Sequence, residues 1–552
     1  MPRPPLRPLL LAASLAVILA GCAGGCGNPT EIQLASEAPE ALAALAVEIG
    51  PRPQADTTSE ARAFVQASGV AVLYDALATT QNDPAMGLTV AGARVMDGWS
   101  WWLDADSVAL DGDDRHRGVT RPDFAVRAYM QRDTTDFVGR IMNAVRGADR
   151  ARFVERITLL DAADSSAVLL IEAPDSLGAV AFRPAISTGA AADSAQTVGE
   201  SLVVYSGGTW TAFRADGGTP RLGDLATTPE AGRDAANVPG EVYFQTPGRL
   251  VVATGDTPAE ADRLAGVALD RADDLRQRRA DRLVRVVESV PLTTGDAEFD
   301  RAMRWAAVTL DLLTVRDSTR ATIGLGLPGA EPQPGLSTIG AVRALLDLGE
   351  WETARALIAT FGTEQLFDRR EDLLGRAPNV VLPGDETRFE TADATPLYLA
   401  ASGDYVRTTG DRGLVTGSNN FWFKSVFAMR GLYEPDSRNG NALANGLLLS
   451  RDGRTAWMDQ GEAAGGVQRR GATIEAQAAL YRALGTVREY SEIMGVSGRS
   501  NTQWYADTAR VLLGDLRQRY VADGMPADRL DANGAPVRTA SPASLVALDL
   551  LD

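Results

Sequence analysis

Carboxylates are the acid–base groups that this chain has in abundance. Its 552 residues include 72 Asp and Glu against 54 Lys and Arg, a net charge of −18, and only one histidine and two cysteines. One imidazole cannot build a histidine-based metal site, and a Ser-His-Asp hydrolase would depend entirely on His116. The acidity also argues against nucleic acid as a partner, because phosphate binding needs a cationic surface. Proton transfer is therefore expected from Asp and Glu side chains.

A string of short motifs occupies the C-terminal half. In chain order it reads A-P-N at 377–379, E-T-A-D-A-T-P-L at 390–397, D-Y at 404–405, T-G-D at 409–411, T-A-W-M-D at 455–459, V-Q-R-R-G-A-T-I-E at 467–475 and A-L-Y at 479–481. Their order and spacing, over roughly residues 297–540, resemble the amylo-α-1,6-glucosidase domain of glycogen-debranching enzymes. Each motif alone is weak, but the whole string is specific.

The resemblance implies a fold and a reaction. The family fold is an (α/α)6 barrel of six helical hairpins, often preceded by a β-sandwich, and glucoamylases and trehalases are relatives. The implied substrate is an α-glucan oligosaccharide with α-1,6 or α-1,4 linkages. Hydrolysis of such a bond needs one carboxylic acid to protonate the leaving oxygen and a second carboxylate to activate water. It requires no metal or other cofactor.

Roles for individual residues follow from the same resemblance. Asp459 takes the position of the general acid, and Trp457 either desolvates that carboxyl or stacks on a sugar face. Arg470 and Asp393 take positions expected to hydrogen-bond sugar hydroxyls or to fix the acid. Glu475 takes a position inside the barrel funnel.

Structural interpretations stand beside these roles. Asp459 could be a turn or capping residue beside Gly461, and Asp393 could be the N-cap of the helix that follows. Glu475 could simply favour a helix N-terminus through the helix dipole. Arg470 could do no more than pair with one of these acids.

Two departures from the family pattern weaken the assignment. The family carries a Gly-Arg-Asp-Thr segment at its first hairpin, and the corresponding stretch 327–338 has no Arg-Asp pair. Near the C-terminus, the stretch P-V-R-T-A-S-P-A at 536–543 lies where the family carries Arg-Pro-Asn-Gln. No residue can be assigned as the general base. Either the reading frame is truncated, or the protein is a degenerate relative that binds glycans or serves the cell envelope structurally.

The hydrophobic pattern predicts two architectures that must position these residues. Short apolar runs broken by turn signals predict a β-sandwich over 59–256, in which Trp99 and Trp101 share one face of a strand. A helical linker over 257–295 begins with Thr257 as N-cap. Nine amphipathic helices are predicted over 296–552, one of them at 440–449, so a twelve-helix toroid would be incomplete at its C-terminal end.

The N-terminus predicts lipid anchoring. Arg3 and Arg7 precede an apolar run, Leu9–Ala20, that is short for a membrane span and typical of a signal peptide. Leu19-Ala20-Gly21-Cys22 resembles the lipobox of bacterial lipoproteins, in which the chain is cut before the Cys and the Cys is lipidated. This predicts a signal peptide at 1–21, a lipid on Cys22 and a flexible tether at 22–58. The protein would then be extracytoplasmic and membrane-anchored, with the outer membrane favoured because no Asp follows the Cys. The alternative is an ordinary secretory peptide with a chance Cys.

Overall fold

The computed structural model describes two compact units. Contacts divide the chain into unit 1, Met1–Leu313 with Gly326–Gly329, and unit 2, Thr314–Leu325 with Ala330–Asp552. The described residues are 39–49, 63–68, 71–76, 87–90, 93–103, 108–110, 115–129, 153–161, 167–186, 195–223, 239–290, 292–316, 321–323, 336–365, 375–381, 387–389, 391, 393–417, 420–433, 443–444, 446–449, 469–496, 499–522, 525–539 and 543–551. The signal peptide, Cys22, Trp457 and Asp459 lie outside them. None of the helices in these ranges combines the length and apolar character that a membrane span needs.

Unit 1 is built mainly from antiparallel strands. They are β1 (Val47–Ile49), β2 (Ala63–Ala67), β3 (Ala71–Ala76), β4 (Gly87–Val90), β5 (Ala93–Met96), β6 (Gly98–Leu103), β7 (Val108–Leu110), β8 (Arg115–Thr120), β9 (Ala125–Tyr129), β10 (Phe153–Leu159), β11 (Ala167–Ala185), β12 (Gln196–Val198), β13 (Ser201–Ser206), β14 (Thr209–Ala215), β15 (Thr219–Leu222) and β16 (Gly240–Gly255). The large sheet runs β1-β8-β9-β10-β11-β16-β14-β13-β12, with β6 also on β11, β7 on β6 and β15 on β16. The order β2-β3-β4-β5 forms a second sheet.

One hydrophobic core joins the two sheets. Leu73 of β3 and Leu88 of β4 pack in the same buried cluster as Phe182 of β11 and Leu250 of β16. Apolar side chains from two sheet faces that meet in one core make a sandwich. The β-sandwich predicted for this region is therefore what the described strands form.

Strand β6 shows the alternation expected of a strand in this sandwich. Trp99 and Trp101 are buried in the core, whereas Trp102 points to the opposite face and is only half-buried. The two buried indoles donate to Oε2 of Glu155 at 2.9 and 2.8 Å. Arg127 pairs with Oε1 of the same carboxylate at 2.5 Å, so the buried charge is neutralised inside the core.

Residues assigned to the tether by sequence also contribute to unit 1. The short helix α1 (Glu40–Ala43) buries Leu42, and β1 extends the large sheet along β8. The indole of Trp305 donates to the carbonyl of Leu45 at 3.0 Å. Packed structure thus begins before residue 59, because this segment has apolar side chains and a strand partner.

Three helices complete unit 1: α2 (Pro258–Asp270), α3 (Ala272–Glu288) and α4 (Ala297–Leu313). Thr257 caps α2 as predicted, accepting a hydrogen bond from the backbone N–H of Glu260 at 3.2 Å. In α3, the fully buried guanidinium of Arg279 donates to the carbonyls of Ala67, Pro122 and Asp123. The helical segment is therefore clamped onto loops of the sandwich. Helix α4 falls in unit 1. The domain limit at 295/296, which stays a prediction, would place this helix in the next domain.

Unit 2 is mainly helical. Its helices are α5 (Leu336–Asp347), α6 (Trp351–Thr363), α7 (Ala394–Thr409), α8 (Gly413–Thr416), α9 (Phe421–Tyr433), α10 (Ile474–Ile493), α11 (Arg499–Asp515, continued by a π-helical turn at Leu516–Tyr520) and α12 (Ala543–Leu551). Its strands are two or three residues long: β17 (Thr314–Arg316), β18 (Ala321–Ile323), β19 (Val380–Val381), β20 (Thr387–Arg388), β21 (Leu443–Ala444), β22 (Leu447–Leu448), β23 (Ala472–Thr473), β24 (Val521–Ala522), β25 (Met525–Pro526), β26 (Arg529–Leu530) and β27 (Pro536–Val537).

One predicted helix is wrong. Residues 440–449 contain the hairpin β21–β22, not a helix. The sequence Asn445-Gly446 between the two strands is the commonest signal for a tight hairpin, and Gly446 adopts a φ of 80°. Gly446 at positive φ and the β-ladder override the helical spacing of the leucines.

The helices of unit 2 form an inner and an outer set. Helix α10 is buried on every side from Ile474 to Leu480, and α7 is buried almost throughout. Helices α6 and α11 keep an exposed face, which includes Trp351 and Trp504. A helix buried on all sides must lie inside a layer of others. Helix α5 contacts α7, α7 contacts α10, and α10 contacts α12, and Arg343 of α5 pairs with Asp549 of α12 at 2.6 Å. The six-hairpin toroid itself stays a prediction.

Candidate functional site: buried carboxylates at two helix N-termini

Glu475 lies in the first turn of the inner helix α10. Thr473 is the N-cap residue and Ile474 is the first helical residue, so Glu475 follows within the turn whose backbone N–H groups favour negative charge. Its side chain is almost completely buried, at 1% exposure. A carboxylate that only complemented a helix dipole would normally remain in solvent. A favourable position at the helix N-terminus therefore does not by itself account for the burial of Glu475.

A small sheet fixes the chain that leads into this helix. Strand β23 pairs with β26, and β26 pairs with β27. Gly471 precedes β23 with a φ of 116°, and a Cβ there would lie 2.0 Å from the carbonyl oxygen of Leu530. Only glycine fits this close approach. The backbone N–H of Ile474 donates to the carbonyl of Asp528 at 3.0 Å, so the sheet also meets the helix start.

One arginine bridges two buried carboxylates at this point. Nη2 of Arg469 contacts Oε1 of Glu475, and Nη1 lies 3.4 Å from Oε2. The same Nη1 donates to Oδ1 of Asp528 at 2.8 Å. Asp528 is fully buried, and Arg529 lies 3.3 Å from its other oxygen. Among the residues that the structure describes, no three His, Cys, Asp or Glu side chains are grouped as they would be around a metal ion.

The environment of Glu475 acts on its pKa in opposing directions. Burial raises the pKa of the Glu475 carboxyl, the hydrogen bond and charge of Arg469 lower it, and the charge of Asp528 raises it. The net direction is upward. A carboxyl with a raised pKa beside a fixed cation is characteristic of functional sites, although buried structural ion pairs share it.

Asp393 occupies the matching position on the second inner helix. Arg482 and Glu489 of α10 pair with Asp404 and Arg407 of α7 at 2.6 and 2.9 Å. Both partners advance in the same direction along the chain, so the two helices run parallel. The offset is 78 residues between Asp404 and Arg482 and 82 residues between Arg407 and Glu489, and 82 residues also separate Asp393 from Glu475. The two buried acids therefore lie at the same end of neighbouring helices.

The capping interpretation of Asp393 is correct for its position but not for its side chain. Asp393 is the N-cap residue of α7, but its side chain makes no capping hydrogen bond to the helix, and it is fully buried. The motif that contains it meets the earlier A-P-N motif, because the backbone N–H of Ala377 donates to Oγ1 of Thr395 at 3.1 Å. Two sequence motifs that resemble the family thus converge at the start of one helix.

The described residues on both sides of 450–468 contact the first turns of α10. Before this segment, the N–H and C=O of Leu448 are both bonded to the side-chain amide of Gln477 at 2.9 Å. After it, Arg469 is bonded to Glu475. Residues Trp457 and Asp459 belong to this segment and lie outside the described residues.

Part of this site was predicted from the sequence. Glu475 and Asp393, both buried at helix starts, were among the predicted residues, and so was Arg470, which is exposed. The guanidinium at Glu475 belongs instead to Arg469. Arg469 and Asp528 were missed, and the available signal was weak: two consecutive arginines before a glycine, and an acid in a loop.

One comparison with known proteins agrees with the motif string. Residues 312–550 match the model of the family described as amylo-alpha-1,6-glucosidase, as the resemblance predicted. No curated protein matches the sequence significantly. Among solved structures, the fold is similar to that of a bacterial glucoamylase complexed with acarbose, with a TM-score of 0.49, 9% identity and coverage of 89% of this chain and 74% of that chain.

Proposed function

We propose, from the match of residues 312–550 to the amylo-alpha-1,6-glucosidase family, that this protein is a glycoside hydrolase acting on α-glucan oligosaccharides. The bonds attacked are α-1,6 or α-1,4 glucosidic bonds, and the catalysts are carboxylates. No metal or organic cofactor takes part in this chemistry.

One observation carries the proposal. Two acids named from the family motifs, Asp393 and Glu475, are buried at the same end of two parallel inner helices. A glycosidase needs carboxylates held in a water-poor site, where one can keep a proton near neutral pH. This arrangement supports a substrate site at that end of the helices.

The proposed roles follow the motifs. Asp459 is the general acid, since the segment that carries it is flanked by Leu448 and Arg469, both bonded to the start of α10. Asp393 and Glu475 accept hydrogen bonds from sugar hydroxyls. Trp457 stacks on a sugar or desolvates the acid, and Arg470, which is exposed, binds substrate at the rim.

The test is glucose release from α-1,6- and α-1,4-linked oligosaccharides. Asp459→Asn removes the proton donor, and we expect the rate to fall about 10²–10⁴-fold, as for loss of a general acid. Asp507→Asn is the matched control, because Asp507 is half-exposed on α11 and pairs with Arg510. Equal rates for the wild type and Asp459→Asn would contradict the assignment.

A second candidate is a non-catalytic glycan-binding protein of the cell envelope. It is favoured by the stretch 327–338, which lacks the Arg-Asp pair of the family. Calorimetric binding of maltooligosaccharides without glucose release would support it over the hydrolase. We also propose, from the lipobox at 19–22, that the mature protein is extracytoplasmic and anchored by a lipid on Cys22, at the outer membrane.

A further inference from the structure

The contacts around Glu475 assign a role to two residues outside the motif roles. We propose that Arg469 and Asp528 are positioning residues, which hold the Glu475 carboxylate in one orientation. The inference rests on the proposed function, in which Glu475 contacts the substrate.

Arg469 acts as a two-pronged clamp on Glu475. Its two terminal nitrogens face the two carboxylate oxygens of Glu475, and the geometry suits a planar guanidinium. A glutamate has three side-chain torsions, and fixing both oxygens removes most of that freedom. A carboxylate that accepts hydrogen bonds from a sugar must be oriented in this way before the substrate arrives.

Asp528 fixes Arg469 and is not assigned as a second catalytic acid at the glycosidic bond. Nη1 of Arg469 lies between the two carboxylates, 2.8 Å from Asp528 and 3.4 Å from Glu475, so the guanidinium separates them. Asp528 itself is held by the sheet, because its N–H donates to the carbonyl of Val537 at 2.9 Å. The β26–β27 ladder therefore fixes Asp528, Asp528 fixes Arg469, and Arg469 fixes Glu475.

Several charged or titratable groups surround Glu475. Arg469 and Asp528 contact each other beside it, Arg529 lies on the far oxygen of Asp528, and Tyr520 of the π-helical turn is within electrostatic range. Asp393 lies at the same end of the neighbouring helix α7. Of the two groups that we assign, Arg469 lowers the pKa of Glu475 and Asp528 raises it. Loss of the arginine and loss of the aspartate should therefore move the titration of Glu475 in opposite directions.

The experiment is a pH profile of kcat/KM for α-glucan hydrolysis. For Arg469→Gln we expect a fall of about 100-fold and an acidic limb shifted to higher pH, because Glu475 is both misplaced and harder to ionise. For Asp528→Asn we expect an acidic limb shifted to lower pH, with a smaller loss. Arg469→Lys keeps the positive charge but loses the planar pair of terminal nitrogens. Compared with Arg469→Gln, it should therefore bring the pH of the acidic limb closer to the wild-type value than it brings kcat/KM.

An exposed pair of the same types provides the matched controls. Arg510 and Asp507 lie 2.6 Å apart on the surface of α11, and Arg510→Gln and Asp507→Asn should leave the profile unchanged. Arginine and aspartate variants that lower the melting temperature but leave the acidic limb in place would overturn the positioning role, because a structural ion pair predicts that result.

A second measurement separates this inference from the proposed function. If the wild type releases no glucose, the hydrolase proposal fails, and a double-mutant cycle on the free energy of unfolding still tests the clamp. Arg469→Gln leaves two buried carboxylates without their shared cation, so adding Glu475→Gln should recover part of the lost stability. Additive losses in the double variant would show that the two side chains are not coupled, and the inference would be wrong.

Discussion

At the scale of the residue, burial separates the functional candidates from their neighbours. Arg469 and Arg470 are adjacent and identical in type, yet only Arg469 reaches Glu475. The sequence analysis named Arg470, whereas the arginine bonded to Glu475 in the structure is Arg469. The choice depends on the turn at Gly471 and on the position of Asp528, which is 59 residues from Arg469 and was not predictable from local spacing.

The raised pKa of Glu475 predicts a stability that depends on pH. Above the ordinary glutamate pKa of 4.5 the unfolded chain loses this proton, whereas the folded chain keeps it until its higher pKa is reached. Stability contributed by this group therefore falls as pH rises through that window. Because glutamine carries no such proton, the free energy of unfolding of Glu475→Gln relative to wild type should increase with pH.

Denaturant unfolding from pH 4 to pH 8 measures this difference. Glu492→Gln is the control, since Glu492 is exposed at the end of the same helix and bonded to Arg488. The difference in unfolding free energy between Glu492→Gln and wild type should not change with pH. A flat or falling difference for Glu475→Gln would contradict the burial of an unfavourable charge at this position.

At the scale of the element, sequence patterns gave correct predictions where the structure depends on residues that are close together in the chain. The alternation of Trp99, Trp101 and Trp102 placed two rings in the core and one outside it, and Thr257 capped its helix. Strands β9 and β10 were not predicted, because Arg127 and Glu155 interrupt their apolar pattern. The structure buries both charges as a pair, which no local pattern reveals.

Gly471 is the element-scale position with the sharpest prediction. In Gly471→Ala the new Cβ would meet the carbonyl oxygen of Leu530, and the φ of 116° would be strained. We expect a loss of more than about 1 kcal/mol in unfolding free energy, together with reduced activity, since Arg469 depends on this turn.

Gly485→Ala is the matched control for that variant. Gly485 lies inside α10, and a Cβ there meets nothing within 4 Å. Alanine should stabilise the helix slightly, by about 0.5–1 kcal/mol. Thermal melts and glucose release of both variants measure the two effects; equal melting temperatures would mean that the approach to β26 is not rigid.

At the scale of the whole molecule, a change of hydrophobic period separated a β-rich half from a helical half. The structure agrees in outline: unit 1 holds the sandwich and unit 2 the helices. The helices α2, α3 and α4 belong to unit 1, partly because Arg279 and Trp305 bond to distant carbonyls. Such contacts join residues more than 200 positions apart, and a reading of periodicity cannot detect them.

Anchoring is the whole-molecule prediction. If Cys22 carries lipid, the wild-type protein should pellet with membranes and be released by detergent. Cys22→Ser should remain in the soluble extracytoplasmic fraction, because this variant lacks the acyl chains that hold a protein at a bilayer. Fractionation followed by immunoblotting measures this. A wild-type protein that is soluble without detergent would contradict the anchor.

The bonds at Leu448 and Arg469 have a consequence for how this protein can change in evolution. They fix residues on both sides of 450–468 to one end of α10. The entropy cost of closing a loop between fixed ends grows only logarithmically, and doubling its length costs about 0.6 kcal/mol. Insertions between these two bonds should therefore be tolerated by the fold. Lengthening this segment would leave Glu475, Arg469 and Asp528 in place, since their contacts with one another lie outside it.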